Sequence, residues 1–171
     1  MIEIGIIDIE ASGLHFDAYP IEIAVRLRGV CRSWLIKPEH NWKYWCTTAE
    51  SMHGISRDEL LRDGLPVAEV VKQLNAFLTD LDVLLYSDAY RWDGDWVDTL
   101  YYAVKADKPF YVDSIYDVIG DDKADLFDNY FTQLAKSGKY KHHRAKDDVQ
   151  MIYEAYCHAV GNTAGTQGHP T

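Results

Sequence analysis

The sequence is poor in cysteine, poor in basic residues and free of long apolar runs. Its three cysteines, Cys31, Cys46 and Cys157, are odd in number and form no CxxC pair. This argues against a disulfide framework or a thiolate zinc site, and the residues read as reduced thiols of a cytoplasmic protein. No apolar stretch approaches the ~18 to 20 residues that span a bilayer, so no membrane partner is expected. The N-terminal MIEIGIIDIE is acidic and alternating, without the basic region and cleavage site of a signal peptide. Lys and Arg number 17 against 27 Asp and Glu, a net charge of −10. A general polyanion binder should be basic on balance. This does not exclude nucleic acid as a substrate, because acid gathered to hold cations would reverse the local sign.

What is present suits one folded domain. The 171 residues are 47% hydrophobic and 26% charged, enough apolar material for a real core. Ile2 to Ile9 reads as a buried strand, broken by Ala11-Ser12-Gly13-Leu14. Ile21 to Leu27 and Val30 to Ile36 read as two further strands joined at Arg28-Gly29. Glu39 to Met52 is aromatic and irregular. Ser56-Arg57-Asp58-Glu59 has capping-box spacing, and Pro66 sits where another helix can begin. Val83 to Tyr86 reads as a central strand and Trp92 to Val104 as a helix. A short strand over Tyr111 to Ile115 follows, then helices around Leu126 to Leu134 and from Ala145 to Val160. Residues 161–171, rich in Gly, Thr and Pro, read as a loose tail. Three strands followed by alternating helices and strands predict an α/β fold, one mixed sheet with helices on its faces.

The strongest local feature is Asp8-Ile9-Glu10 at the end of the first strand. Alternation places both carboxylates on one face. Two adjacent acids beside a buried strand are costly without cations or protonation. Hard oxygen donors favour Mg²⁺ or Mn²⁺; the alternative is that both face solvent past the sheet edge. Asp8-Ile9-Glu10-Ala11-Ser12-Gly13-Leu14 resembles DxExTGL, the first motif of the DEDD superfamily of 3′–5′ exonucleases, with Ser12 in place of Thr. Pro20-Ile21-Glu22-Ile23-Ala24 resembles the family's second strand, and His53-Gly54-Ile55-Ser56 its HGI(S/T) segment. Ser87 to Val97 stands where HNAxFDxxFL is expected. Trp92-Asp93 matches Phe-Asp, Ser87-Asp88 departs from His-Asn, and Arg91 is one extra loop residue. This alignment selects Asp93, with Asp88 and Asp95 as competitors. His143-Arg144-Ala145-Lys146-Asp147-Asp148 resembles HxAxxD, and the five-residue separation of His143 from Asp148 is that of the histidine-type (DEDDh) branch. Ala145 fits this register alone, which leaves His142 as an exposed neighbour and Asp147 as a solvated helix residue.

The resemblance covers about Met1 to Val160. It implies a ribonuclease-H-like, mixed five-stranded sheet flanked by helices. It also implies a metal-dependent 3′–5′ exonuclease releasing nucleoside 5′-monophosphates from single-stranded 3′ ends of DNA or RNA. Asp8, Glu10, Asp93 and Asp148 would be the metal ligands, holding two Mg²⁺ ions with Mn²⁺ able to substitute, and His143 the general base. Ser12, Gly13, Leu14 and His53 would bind the terminal nucleotide, with Gly13 allowing close approach of the sugar-phosphate. Trp42, Tyr44, Trp45 and Tyr90 are candidate stacking platforms. Glu22 reads as a structural acid, and Lys139, Lys141, His142 and Arg144 as a phosphate-steering stretch. A homodimer is also compatible with the resemblance. The competing reading is a non-catalytic nucleic-acid-binding module on the same fold.

Overall fold

A computed structural model describes residues 4–78 and 83–161. Strand β1 (Gly5–Ala11) carries the alternating isoleucines and pairs antiparallel with β2 (Pro20–Leu27). A tight turn joins β2 to β3 (Val30–Leu35), with Arg28 at φ 51° and Gly29 at φ 73°. Positive φ at both central residues suits the right-handed twist of a hairpin. Two parallel strands, β4 (Val83–Ser87) beside β1 and β5 (Phe110–Ser114) beyond it, complete the sheet. The order β3-β2-β1-β4-β5 puts β1 at the centre, so this is the mixed five-stranded sheet expected.

Seven α-helices surround it among the described residues: α1 (Thr47–His53), α2 (Arg57–Asp63), α3 (Val67–Phe77), α4 (Tyr90–Ala103), α5 (Ile115–Ile119), α6 (Ala124–Lys136) and α7 (Ala145–Ala159). Alternation along β1 divides the core in two. Ile7 and Ile9 face α3 and α4, packing with Val70, Leu74, Val97 and Leu100. Ile4 and Ile6 face the other way, against Ile115, Phe127, Val149 and Ile152. Asp8 and Glu10 share this second face and lie beyond its apolar part, where β1 runs toward the N-terminus of α7.

Two segments differ from the sequence reading. The stretch taken as irregular ends in α1, a seven-residue helix stopped by Gly54 at φ 70°. It is too short to show a helical period, and His53 is its one buried residue. Helix α5 likewise went unread because five residues hold barely one turn. The capping box at α2 is present, with the Ser56 hydroxyl accepting from the Glu59 amide at 3.1 Å. All three cysteines are free thiols. No helix of the described residues is long and apolar enough to cross a membrane. The tail expected over 161–171 lies outside the described residues, Gly161 excepted.

Candidate active site

Three chain segments bring ionisable side chains to a cavity of about 350 Å³ beside the C-terminal end of β1. Asp8 and Glu10 come from β1, Asp88 and Asp93 from the β4–α4 junction, and His142, His143 and Asp148 from the entry into α7. Leu14, Met52, His53, Trp92 and Phe131 line its apolar wall. Because β1 and β4 are parallel neighbours, the chain leaving β4 emerges beside the end of β1. The acid eighty-five residues away from Asp8 is therefore delivered by topology.

Burial concentrates the charge. Asp8, Asp93 and Asp148 are buried, and Glu10 is half-buried. One oxygen each of Asp8, Glu10 and Asp148 lies within 4.8 Å of the others. Asp8 Oδ2 is buried with no hydrogen-bond partner. Desolvation, then repulsion from Asp93, Asp148, Glu10 and Asp88, pushes the Asp8 carboxyl well above the usual range. Glu10 is pushed up to about 8 by burial, then Asp148 and Glu22, with Arg144 opposing. Asp148 is pushed up to about 8 by burial, although the His143 amide works against the shift. Asp93 is raised by burial despite accepting a hydrogen bond from the Ser87 hydroxyl. A cluster so costly to ionise invites a multivalent cation, and an orphaned buried oxygen amid hard donors fits Mg²⁺ or Mn²⁺.

Of the three candidates at the second motif, Asp93 and Asp88 line the cavity, while Asp95 is exposed on α4. Asp88 is thus a fifth acid at the cavity, standing where the resemblance would place Asn. Desolvation raises its carboxyl, with backbone hydrogen bonds at its own amide opposing.

Helix α7 is held in place by Glu22. Its carboxylate receives Arg144 Nε and a terminal guanidinium nitrogen, both at 3.0 Å, and the Ala145 amide at 3.0 Å. The acid is therefore structural, as the sequence suggested. Three of the four members of the steering stretch are paired within the protein: Arg144 with Glu22, Lys139 with Glu154 at 2.7 Å, and His142 with Asp148. Nor is His142 a mere exposed neighbour. It is half-buried, with Nδ1 3.1 Å from Asp148 Oδ1, while the His143 amide donates to Asp148 Oδ2 at 3.0 Å. Asp147 is not merely solvated, since it accepts from the Lys141 amide at 2.8 Å. Burial, reinforced at His143 by its histidine neighbour, lowers both imidazoles below 6.5, so both are neutral bases at neutral pH.

The residues expected to bind the terminal nucleotide fall into two groups. Leu14, 71% exposed, projects at the cavity, and His53 lines it with a buried Nε2 that has no partner. Its Nδ1 accepts from the Ile55 amide at 3.0 Å. Gly13 also lines the cavity, but the closest approach to it is made by the protein. A Cβ there would lie 2.7 Å from Cys46 Cβ and 2.8 Å from Tyr44 Cε1. Ser12 is fully buried, and its hydroxyl accepts from the Tyr19 amide at 3.1 Å; it ties the β1–β2 connection rather than facing the cavity. Among the aromatic candidates, Trp42 stacks on Tyr19, Trp45 packs on His53 and donates to Glu50, and Tyr44 stacks on His15. None of these three, nor Tyr90, lines the cavity. Trp92, 46% exposed and stacked on Trp96, does line it. Its signal in the sequence was its place immediately before Asp93.

No protein-family model matches the chain, and no curated protein does. Solved structures do. E. coli exonuclease I in complex with a dT13 oligonucleotide is similar with a TM-score of 0.69 at 17% identity, over 91% of this chain and 40% of that one. The zinc-ion-bound form of the E. coli exonuclease I complex with single-stranded DNA gives 0.66 at 16%, over 91% and 39%. A 3′-exonuclease that recognises the 3′ end of the histone mRNA stem-loop gives 0.67 at 17%, over 90% and 61%. The chain thus spans about two-fifths of exonuclease I and about three-fifths of the histone mRNA enzyme. At these identities the likeness is one of fold: a ribonuclease-H-like α/β sheet of the kind found in these exonucleases.

Proposed function

We propose that the chain is a metal-dependent 3′–5′ exonuclease of the histidine-type DEDD kind, acting on single-stranded ends. The observation that carries the reading is the gathering of Asp8, Glu10, Asp93 and Asp148 from three distant segments at one cavity, with Asp8 Oδ2 left unpaired. A module that only bound nucleic acid would have no use for buried carboxylates that repel one another and the phosphate backbone. The solved exonucleases of this fold include forms with single-stranded DNA, which supports the substrate class, and a form with a bound zinc ion, which supports a cation site.

Asp8, Glu10 and Asp148 would hold the first divalent ion, and Asp93 with Asp8 a second. When bound, such ions supply charge neutralisation at the phosphoryl oxygens and assist the attacking and leaving oxygens. The rest belongs to the protein. His143, neutral at neutral pH, accepts the proton from the attacking water. Leu14 and Trp92 bracket the terminal base by apolar contact and stacking. His53 Nε2 offers one hydrogen bond at the cavity wall. The scissile P–O3′ bond breaks, the water oxygen joins phosphorus, the 3′-oxygen of the shortened strand takes a proton from solvent, and a nucleoside 5′-monophosphate leaves.

The test is incubation of matched 5′-labelled single-stranded DNA and RNA with Mg²⁺, with Mn²⁺ and with chelator. The expected result is a metal-dependent ladder shortening from the 3′ end, absent in Asp8→Ala. Absence of any shortening with either cation and either polymer would overturn the reading.

A further inference from the structure

Asp148 belongs to two donor sets. With Asp8 and Glu10 it forms an all-carboxylate group. With His142 and His143 it forms a second one, in which one nitrogen of each ring and one carboxylate oxygen lie within 4.8 Å of one another. The chemistry of the two sets differs. Carboxylates alone suit Mg²⁺ and Mn²⁺, whereas two imidazoles and a carboxylate suit borderline transition metals, Zn²⁺ above all.

The backbone accounts for the second set. Consecutive residues in extended chain point to opposite sides. His143 has φ +64°, the left-handed region that a non-glycine residue seldom occupies. That turn brings the His142 and His143 rings onto one side, stacked with centroids 3.9 Å apart. Phe131 packs edge-on against the His142 ring at 5.6 Å. His142 Nδ1 and Asp148 Oδ1, 3.1 Å apart, already have the spacing of two ligands on one tetrahedral ion, ~3.3 Å for bonds of ~2.0 Å. A ring nitrogen of His143 lies within 4.8 Å of a donor on each of the other two residues, within reach of side-chain rotation.

We propose that His142, His143 and Asp148 form a second cation site, selective for Zn²⁺-like transition metals, whose filling competes with the carboxylate group for Asp148. Binding through Nδ1 of His142 uses the tautomer with its proton on Nε2, so the ring stays neutral. The site would also hold His143, the residue assigned as general base, so Zn²⁺ acts as an antagonist of Mg²⁺ and Mn²⁺ rather than as their substitute.

The experiment needs no nucleic acid, so its outcome is independent of whether the chain is a nuclease. Zn²⁺ is titrated calorimetrically into the metal-free full chain, and bound Mn²⁺ is followed separately by its paramagnetic resonance. The variants are His142→Gln, whose amide can still donate to Asp148, and His143→Gln. Each should weaken Zn²⁺ by roughly tenfold or more while leaving Mn²⁺ affinity unchanged. Zn²⁺ should release Mn²⁺ from the wild-type chain. Zn²⁺ affinity unaffected by both substitutions, or Zn²⁺ binding that leaves Mn²⁺ in place, would overturn the proposal.

Discussion

Glu22 and Arg144, 122 residues apart in the chain, form a two-pronged ion pair across the junction of β2 and α7, with both contacts at 3.0 Å. The acid is buried and the guanidinium mostly so. The same carboxylate also takes the Ala145 amide, one of the unpaired donors of the α7 N-terminus. His143 and Asp148 lie on either side of this anchor, so it sets where they stand relative to β1.

Glu22→Ala should therefore lower stability and activity together. Removing one partner of a well-buried pair costs about 3–5 kcal/mol; the partial exposure of Arg144 reduces the expectation to about 2 kcal/mol. The expected reading is a lowered thermal midpoint with cleavage reduced at saturating metal. Glu22→Gln, which keeps an acceptor for Arg144 and Ala145, should recover part of both. A midpoint unchanged in Glu22→Ala would mean that the pair does not anchor the helix.

His143 and His142 are to be separated by rate rather than by position, since both rings line the cavity. His143→Ala should reduce turnover by roughly 10²- to 10⁴-fold, the usual worth of a general base, with little change in Mg²⁺ affinity. Because burial lowers the His143 pKa below 6.5, its base form should persist to mildly acidic pH. The wild-type rate should then begin to fall at a more acidic pH than a free imidazole would set. If His142→Ala is the slower variant, the base is His142 and the register drawn from Ala145 is mistaken.

Gly13→Ala should destabilise the protein without touching a carboxylate. Its φ is +152°, and an added Cβ would meet Cys46 and Tyr44 at under 3 Å. Strain and overpacking of this kind cost about 1–3 kcal/mol. A lowered urea midpoint with Mn²⁺ affinity retained would fit. Wild-type stability in the variant would show that the 11–14 segment can move away from Tyr44.

Much of this site was legible in the sequence because strand alternation and motif spacing are local properties. Asp8 and Glu10 on one face need only the β1 pattern, and His143 with Asp148 only a short spacing. Asp93 needed the order of parallel strands, which the sequence supplies only through resemblance. What stayed hidden depends on cross-chain contact. Nothing near Gly13 announces that Tyr44 and Cys46 fill the space beside it. Nothing near Ser12 shows that its hydroxyl serves Tyr19. The left-handed turn at His143, which gives His142 a place at the cavity, is a single backbone angle with no pattern to betray it. The pairing of the basic stretch was hidden because its partners, Glu22 and Glu154, come from elsewhere in the chain.

The pH dependence of stability follows from the same buried acids. In the folded, metal-free chain Glu10 and Asp148 have pKa values of about 8, whereas unfolded carboxyls titrate near 4. From about pH 4 to about pH 8 the folded state therefore holds more protons than the unfolded state, and stability falls as pH rises through that window. Histidines act oppositely. His53, His142 and His143 are lowered by burial, so they cost stability as pH drops through about 6.5 and below. Between about pH 7 and about pH 9 the carboxyls dominate. In chelator the thermal midpoint should decline across that range, and Mg²⁺ or Mn²⁺ should raise it most at the alkaline end, where no proton has to be displaced. Asp8→Asn should stabilise the metal-free protein at the alkaline end by removing a buried charge that Asp93, Asp148 and Glu10 repel, while abolishing cleavage and most of the gain from metal. A midpoint in chelator that is flat from about pH 7 to about pH 9, in wild type and variant alike, would show that these carboxylates do not share a buried site.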